Sequence, residues 1–247
     1  MVFVKHIVRR NLVMLQLNMK NEFGTLYVVG TPIGNMEDIT IRAIRILKEV
    51  DLVLCEDTRT TGKLLAKYEI KNKTASYNAH STKNKENKII ELLENRQNIA
   101  LVSDAGTPCI SDPGSLIISY IRENYKDIKI VPIPGASAVI SAVSVSGMFG
   151  NQFSFMGFVP HKKGRESFFK DILISKIPVV FYESCHRIVN TLNYFNKNNP
   201  DTKIMIAREL TKMFETIHID KAKFHLENIL QNPKELKGEF TIIVFPK

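Results

Sequence analysis

The 247-residue sequence has no tryptophan and only three cysteines, Cys55, Cys109 and Cys185. The cysteines lie far apart and form no Cys-x-x-Cys pair, so the sequence favours neither a zinc site nor a disulfide framework. No apolar run approaches the length of a membrane-spanning helix. Few and widely separated cysteines are typical of proteins in a reducing compartment. We therefore expect a cytoplasmic protein that binds no metal and no membrane.

Acidic residues are also few, since 25 Asp and Glu stand against 34 Lys and Arg and leave a formal net charge of +9. This excess favours a polyanionic partner, RNA or DNA, although a coding bias towards lysine would produce the same excess. The hydrophobic fraction of 44% is ordinary for a globular chain. The length suffices for one large domain or two smaller ones.

Residues 1–22 differ from the rest of the chain. The pair Arg9–Arg10 precedes apolar Leu12–Leu15, as in a twin-arginine export signal, but Gln16 interrupts the apolar stretch and no small-residue cleavage site follows. We interpret Met19 as the true start and the earlier residues as an upstream extension.

From Thr25 onward, short apolar runs alternate with segments of helical spacing. The runs predict strands at Thr25–Val29, Leu52–Cys55, 74–77, Ile99–Val102 and 128–131. The intervening segments predict helices from Asp38 as N-cap to Val50, and over 61–68, 83–95 and 116–124. This alternation predicts a mostly parallel sheet covered on both faces.

Two prolines and a glycine in Pro132–Gly135 predict a hinge, which divides the chain into domains at 23–132 and 133–247. Beyond it we predict a helix over 136–146 and further helices at 164–174, 187–196 and 226–231. Strands are predicted near 153–155, 179–182, 203–207 and 240–245. The last of these alternates poorly, so we expect a mixed second sheet.

The stretch Ser103–Gly114 holds two Gly, two Pro and two Asp and cannot be a strand or a helix interior. Gly30–Gly34 and Glu56–Arg59 also follow predicted strands, and ligands of open α/β sheets bind where strands end. None of the three matches a phosphate-binding loop. They predict one ligand site at one sheet edge, with simple capped turns as the alternative.

Glu56–Arg59 places two carboxylates and an arginine at a strand end. A carboxylate there can accept a proton from a substrate hydroxyl, and Arg59 can bind a phosphate. An N-cap at Asp57 or Thr58 with a local ion pair explains the same residues equally well.

Three basic segments of the second half, His161–Arg165, His186–Arg187 and Arg208–Lys212, are typical of phosphate contacts. The candidate RNA-binding residues are Lys162, Lys163, Arg165, His186, Arg187 and Arg208. Solvated charges at helix ends are the alternative. Cys185 beside His186 is a poor candidate nucleophile, because adjacent loop residues rarely point at each other and no third group orients them.

Taken together, these motifs resemble the ribosomal RNA small subunit methyltransferase I family of tetrapyrrole methylases. The resemblance covers residues 24–247 and rests on Leu26–Asn35, Asp38–Arg42, Glu56–Arg59, Ser103–Gly114, Pro134–Ser137, Gly157–Pro160, Tyr182–Arg187 and Arg208–Lys212. Two positions depart from the family, which usually has glycine at position 109 and proline at position 185.

The resemblance implies a two-domain α/β fold of the class III methyltransferases, a homodimer, and S-adenosylmethionine bound in the cleft between the domains. It also implies 2′-O-methylation of a cytidine in the decoding region of 16S rRNA. By similarity, the cofactor-binding residues are Pro32, Ser103, Asp104, Ala105, Ile110, Ser111, Ser137, Tyr182, Ala207 and Thr241.

For such a reaction, Glu56 or Asp57 is the candidate base, and Arg59 and Lys212 are candidate phosphate or oxyanion partners. The expected substrate is loop RNA on the small ribosomal subunit, because a helical 2′-hydroxyl is poorly reachable in line. Two alternatives stay open. One is a methyltransferase of corrin or porphyrin precursors, and the other is a non-catalytic rRNA-binding assembly factor.

Overall fold

The computed structural model describes residues 23–78 and 83–246. The predicted extension at 1–22 lies outside the described residues. The strands are β1 (Thr25–Val29), β2 (Leu52–Cys55), β3 (Thr74–Ser76), β4 (Ile99–Leu101), β5 (Lys129–Ile133), β6 (Ser154–Phe158), β7 (Val179–Ser184), β8 (Lys203–Arg208), β9 (Thr216–Lys221) and β10 (Glu239–Val244). The helices are α1 (Ile41–Glu49), α2 (Thr58–Lys67), α3 (Lys83–Glu94), α4 (Ser115–Asn124), α5 (Ala138–Val145), α6 (Arg165–Ile174), α7 (Ile188–Asn198) and α8 (Ala222–Gln231).

The first sheet has the strand order β3-β2-β4-β1-β5, and every pairing in it is parallel. Its central strands are buried and continuously apolar, as parallel strands covered by helices must be. The parallel sheet predicted from the alternation is confirmed. Pro132 lies inside β5 rather than in a hinge. A proline is tolerated there because β5 is an edge strand, so one side of its backbone has no neighbouring strand to bond.

Two helix starts differ from the sequence prediction. The hydroxyl of Thr40 accepts the N–H of Ala43 at 3.1 Å, so α1 begins at Ile41 and the predicted N-cap at Asp38 is wrong. Asp38 instead ends a short 3₁₀ turn that starts at Met36. Helix α2 begins at Thr58, three residues earlier than predicted, because Asp57 caps it.

The second sheet has the order β6-β7-β10-β8-β9 and is mixed, as predicted. Only β6 and β7 run parallel, and the other pairings are antiparallel. One face packs against α6, α7 and α8 around Phe169, Phe181 and Phe195, and the other packs against α5. Strand β9 was not predicted from the sequence. It is an edge strand whose residues are exposed or half-buried, so it has no buried face.

The chain divides into two compact units that interleave in sequence. The first comprises the described residues up to Val29 with Thr40–Asp104 and Asp112–Pro134. The second comprises Gly30–Ile39, Ala105–Ser111 and everything described from Gly135 onward. The change-over near Pro134 is two residues beyond the boundary predicted from the sequence, and the loops after β1 and β4 group with the second unit. The predicted division into domains at 23–132 and 133–247 stays a prediction. Among the described residues, no helix is both long and apolar enough to cross a bilayer.

Candidate active site

The loops that follow β1 and β4 are bonded directly to each other within the second unit. The N–H of Thr31 donates to the carbonyl of Gly106 at 2.9 Å, and the N–H of Gly106 donates back to the carbonyl of Thr31 at 3.1 Å. The Thr31 hydroxyl adds a third bond to the same Gly106 carbonyl at 3.2 Å. The two ligand loops predicted from the sequence therefore form one rigid element.

The loop after β5 completes this element. A Cβ added to Gly30 would stand 2.7 Å from the Cα of Gly135, so the two backbones touch and admit no side chain. The hydroxyl of Thr107 donates to the carbonyl of Ala136 at 3.1 Å. Three loops that follow neighbouring strands are thus held together by backbone contacts, at the edge of the sheet where ligands of open α/β folds bind.

Three predicted cofactor residues from distant positions meet on the second sheet. Thr241 of β10 pairs in register with Tyr182 of β7 on one side and with Ala207 of β8 on the other. Ala207 belongs to the apolar cluster that also contains Ile33 of the first loop, and the Tyr182 side chain packs against that cluster. Sheet face and loops therefore lie against each other inside one unit.

The other predicted cofactor residues divide between the two units. Pro32, Ala105, Ile110, Ser111 and Ser137 group with the second unit, and Ser103 and Asp104 with the first. Ile110 exposes 53% of its surface, which leaves an apolar side chain available for contact. Ser137 precedes α5 at the N-cap position, but its hydroxyl makes no capping hydrogen bond. The hydroxyl is therefore not needed by the helix.

At the carboxyl end of β2, Asp57 has a structural role. Its side chain accepts the N–H of Arg59 at 2.8 Å as the N-cap of α2, and it forms an ion pair with the Arg59 guanidinium. The hydrogen bond from the Arg59 side chain lowers the pKa of Asp57 to about 2. A carboxylate this acidic is a weak base, so the geometry favours the N-cap interpretation for Asp57.

Glu56 has the opposite electrostatic environment. Partial burial raises the pKa of Glu56, and the negative charge of Asp104 acts in the same direction. Asp104 itself accepts the N–H of Asp57 at 3.1 Å, which fixes the end of β4 to the end of β2. Of the two candidate bases, Glu56 is the one whose surroundings increase its proton affinity.

Asp112 belongs to the same group and was not singled out from the sequence. Burial raises the pKa of Asp112 to about 6, and the charges of Glu56 and Asp104 add to the effect. The signal was present in the loop Ser103–Gly114, because the chain returns to the first unit at its Asp112-Pro113-Gly114 turn. Three carboxylates therefore interact at the carboxyl edge of the parallel sheet.

Lys212 lies in the second unit against the first loop. Its aliphatic chain runs so close to Gly34 that a Cβ added there would collide with the Lys212 Cγ. Its ammonium binds Glu209 and Glu239, each at 2.9 Å. Burial opposes the ammonium charge, but the two carboxylates outweigh it and raise the pKa of Lys212. These contacts support an anchoring role for Lys212, and its predicted contact with phosphate stays a prediction.

Two of the arginines predicted to bind RNA are instead bonded to Glu183, whose side chain is fully buried. Arg187 Nε lies 2.9 Å from Glu183 Oε1, and Arg165 Nη2 lies 3.4 Å from Oε2. The Thr191 hydroxyl donates to Oε2 at 2.6 Å. The geometry therefore does not support RNA contacts for Arg165 and Arg187.

Arg208 exposes only 9% of its surface, and its guanidinium donates to backbone carbonyls of its own unit. Lys162, Lys163 and His186 are exposed and stay candidates for RNA contact. In the described ranges no cluster of His, Cys, Asp and Glu is arranged to hold a metal ion.

The family comparison identifies the chain more closely. The family described as Tetrapyrrole (Corrin/Porphyrin) Methylases matches residues 25–223. Ribosomal RNA small subunit methyltransferase I of Haemophilus influenzae is 43% identical over 223 residues, which are 90% of this chain and 78% of that protein. The protein of the same name from Thermotoga maritima is 42% identical over 228 residues, which are 91% of this chain and 99% of that protein.

Solved structures show the same fold at low sequence identity. Diphthine synthase superposes with a TM-score of 0.71 at 15% identity, over 91% of this chain and 90% of that chain. Cobalt precorrin-4 methyltransferase superposes with a TM-score of 0.67 at 16% identity, over 90% and 94%. Methyltransferases of this kind use S-adenosylmethionine as methyl donor. With its two-unit α/β fold and its relatives above 40% identity, the chain belongs to the ribosomal RNA small subunit methyltransferase I family of the tetrapyrrole methylases.

Proposed function

We propose that this chain transfers a methyl group to the ribose 2′-hydroxyl of a cytidine in the decoding region of 16S rRNA. The observation that carries the proposal is the identity of 41–43% along about nine-tenths of the chain to proteins named for methylation of small-subunit ribosomal RNA. We place the reaction in the cytoplasm, where the ribosomal small subunit is assembled.

The cofactor residues are those of the three-loop element and the adjoining sheet. Backbone groups of Pro32 and Ala105, the hydroxyl of Ser137 and the side chains of Ile110 and Tyr182 would hold S-adenosylmethionine. When bound, it supplies a methyl group already activated on a sulfonium. The protein is left with two tasks, to orient the acceptor oxygen and to remove its proton.

Glu56 is the residue that we assign to proton removal. A ribose hydroxyl is a weak acid, so a carboxylate with a raised pKa is a better acceptor than an ordinary one. Glu56 meets this condition because of its burial and the nearby charge of Asp104, whereas Asp57 is committed to Arg59. Asp104 holds the neighbouring strand end in place.

The RNA contacts fall on exposed basic turns of the second unit. Lys162 and Lys163 lie in an exposed turn between Val159 and Arg165, and His186 lies in the next exposed turn. Arg187 ties the two turns together, because its guanidinium donates to the carbonyl of Val159 at 2.8 Å. Phosphate contacts of this kind weaken steeply with salt, so RNA affinity should fall as the ionic strength rises.

We also propose that the chain acts as a homodimer. Helix α5 exposes Ile140 and Val145 at 57% and 52%, and the neighbouring Phe149 is fully exposed. Apolar side chains grouped in this way are typical of surfaces that another protein covers. The oligomeric state at micromolar concentration tests this part of the proposal separately.

Label transfer from methyl-labelled S-adenosylmethionine tests the activity. The purified chain is incubated with small ribosomal subunits that lack their methylations, with naked 16S rRNA, and with a free corrin or porphyrin precursor. We expect label in the rRNA of one or both RNA samples. Label in the tetrapyrrole would establish the first alternative, and RNA binding without any label would establish the assembly factor.

Two neighbouring substitutions test the base. Glu56→Gln should lower the single-turnover rate by about 100-fold or more, since a positioned general base contributes about 10²–10⁴. Asp57→Asn is the matched control and should stay within a few-fold of the parent. Near-normal rates in both variants would remove Glu56 from the mechanism.

A further inference from the structure

The segment between β8 and β9, residues 209–215, presents two neighbouring apolar side chains to solvent. Met213 is 91% exposed and Phe214 is 69% exposed. Both come just after the Arg208–Lys212 motif, and nothing in the proposed methyl transfer uses them. Two adjacent large apolar side chains that are open to solvent form a candidate contact surface.

This loop is held in one conformation by several independent contacts. Glu209 and Thr211 adopt positive φ angles of 52° and 65°, which side chains rarely tolerate. The N–H of Thr211 donates to the Glu215 carboxylate, and the Thr211 hydroxyl accepts the N–H of Asn35 at 3.2 Å. Strained backbone that the surroundings hold so firmly is typical of functional loops. Phe214 is therefore presented by a rigid support.

Arg208 fixes the backbone of Phe214 beside two exposed lysines. Its Nη1 donates to the carbonyl of Phe214 at 2.9 Å, its Nε to the carbonyl of Lys237 at 2.6 Å, and its Nη2 to that of Lys234 at 3.4 Å. One buried guanidinium thus joins three segments of chain. It brings the backbone of Phe214 close to the backbone of two lysines whose side chains are exposed.

The carboxylates on and beside the loop are already engaged. Glu209 and Glu239 bind the ammonium of Lys212, and Glu215 accepts the N–H of Thr211. The ammonium of Lys212 therefore partly compensates the charges of Glu209 and Glu239. Lys234 and Lys237 are exposed and available to a negatively charged partner. An aromatic ring next to lysines matches the chemistry of single-stranded nucleic acid, with a flat base and a phosphate on either side.

We propose that Phe214 is a stacking platform for an unpaired nucleobase of the RNA substrate, with Lys234 and Lys237 at the adjacent phosphates. Met213 adds a flexible apolar contact beside the ring. Arg208 is a positioning residue that acts through the backbone of Phe214, which replaces the direct phosphate contact predicted for it. This inference rests on the proposed function, because it requires an RNA substrate.

The absence of tryptophan from the chain makes a direct test possible. Phe214→Trp introduces a single indole, whose fluorescence should be quenched when a single-stranded RNA oligonucleotide of decoding-region sequence stacks on it. Phe224→Trp is the matched control, since Phe224 is an exposed aromatic of α8 and has an ammonium, that of Lys223, 4.9 Å from its ring. Its fluorescence should not change with RNA. Equal responses of the two variants would overturn the proposal.

A substitution series separates stacking from general apolar contact. Phe214→Tyr should bind the oligonucleotide like the parent, and Phe214→Leu should bind it about 5- to 100-fold more weakly, as expected for loss of one stacked base. Affinity for S-adenosylmethionine and the oligomeric state should be unchanged in both. Parental RNA affinity in Phe214→Leu overturns the proposal, as does a change of oligomeric state, which would assign the ring to a protein contact.

Arg208→Lys in the Phe214→Trp background tests the positioning role. It retains the charge but loses the fork that joins three carbonyls, so the RNA-dependent quenching should decrease while S-adenosylmethionine still binds with parental affinity. Undiminished quenching would remove Arg208 from the proposal. If the parent chain neither binds nor methylates RNA, the proposed function itself fails. If it methylates RNA and Phe214→Leu does so equally well, only the stacking platform fails.

Discussion

Gly30 and Gly135, 105 residues apart in the chain, lie backbone against backbone: a Cβ built on Gly135 would stand 2.8 Å from three backbone atoms of Gly30. This contact joins the loop after β1 to the loop after β5, and the bonds between Thr31 and Gly106 join the loop after β4. Only glycine fits at these two positions, because a side chain on either one would push apart two loops that contain predicted cofactor residues.

Gly135→Ala should therefore weaken S-adenosylmethionine binding by about tenfold or more, since misplacing binding groups by even 1 Å has large effects. Gly62→Ala is the control, because Gly62 lies inside α2 with no neighbouring atom within 4 Å of its added Cβ. That variant should keep its affinity and gain about 0.5–1 kcal/mol in free energy of unfolding. Calorimetric titration measures both affinities. Parental binding by Gly135→Ala would contradict the role of the three-loop element.

Cys109 occupies a backbone position suited to glycine, with a φ of +69°. This conformation agrees with the glycine that the family resemblance implies at this position. Cys109→Gly should remove an αL strain of about 1 kcal/mol and raise the free energy of unfolding by up to that amount. Cys109→Ala keeps the strain and should not gain stability. Urea denaturation compares the two, and equal stabilities would show that the strain is relieved elsewhere.

Glu183 forms ion pairs with both Arg165 and Arg187, so its removal leaves two partly buried cations without this partner. Glu183→Ala should lower the free energy of unfolding by about 3–5 kcal/mol. Glu166→Ala breaks the exposed pair with Lys170 and should have little effect. Chemical denaturation gives both values. A small loss in Glu183→Ala would mean that solvent or another group compensates the arginines.

Asp112 should make the stability of the protein depend on pH. Its folded-state pKa of about 6 lies above the ordinary value of 3.8, so folding favours the protonated form. Stability is therefore lost as the pH rises from about 4 to about 6, and Asp112→Asn should abolish this loss. Because the group keeps some exposure, we expect a gain of about 1–2 kcal/mol for Asp112→Asn at pH 7 and none at pH 4. Thermal unfolding of the parent and of Asp112→Asn at the two pH values measures this difference. An equal effect of the substitution at both would contradict the raised pKa assigned to Asp112.

Much of the fold could be predicted because apolar runs and helical spacing reflect burial directly. The parallel first sheet and the mixed second sheet follow from such patterns. The edge strand β9 could not be predicted, since its exposed side chains leave no hydrophobic signal. The start of α1 was misplaced for a different reason. Asp38 and Thr40 are both good capping residues, and only the three-dimensional path of the loop selects Thr40.

The site was partly predictable. The loops stood out by their Gly and Pro content, and the in-register meeting of Tyr182, Ala207 and Thr241 agrees with residues named from the family resemblance. The roles of charged residues could not be predicted, because burial decides them. Arg165 and Arg208 look like phosphate ligands in the sequence, yet each is bonded inside its own unit. Asp112 was overlooked since its neighbours are distant in the sequence.

Mapping the methylated linkage tests the central claim most directly. A ribose 2′-O-methyl group blocks alkaline cleavage at its own nucleotide, so 16S rRNA treated with this chain and S-adenosylmethionine should gain one protected position, at a cytidine of the decoding region. The Glu56→Gln variant should give no protection in the same time. Transfer of label to a base with no protected linkage, or to no RNA at all, would contradict the account.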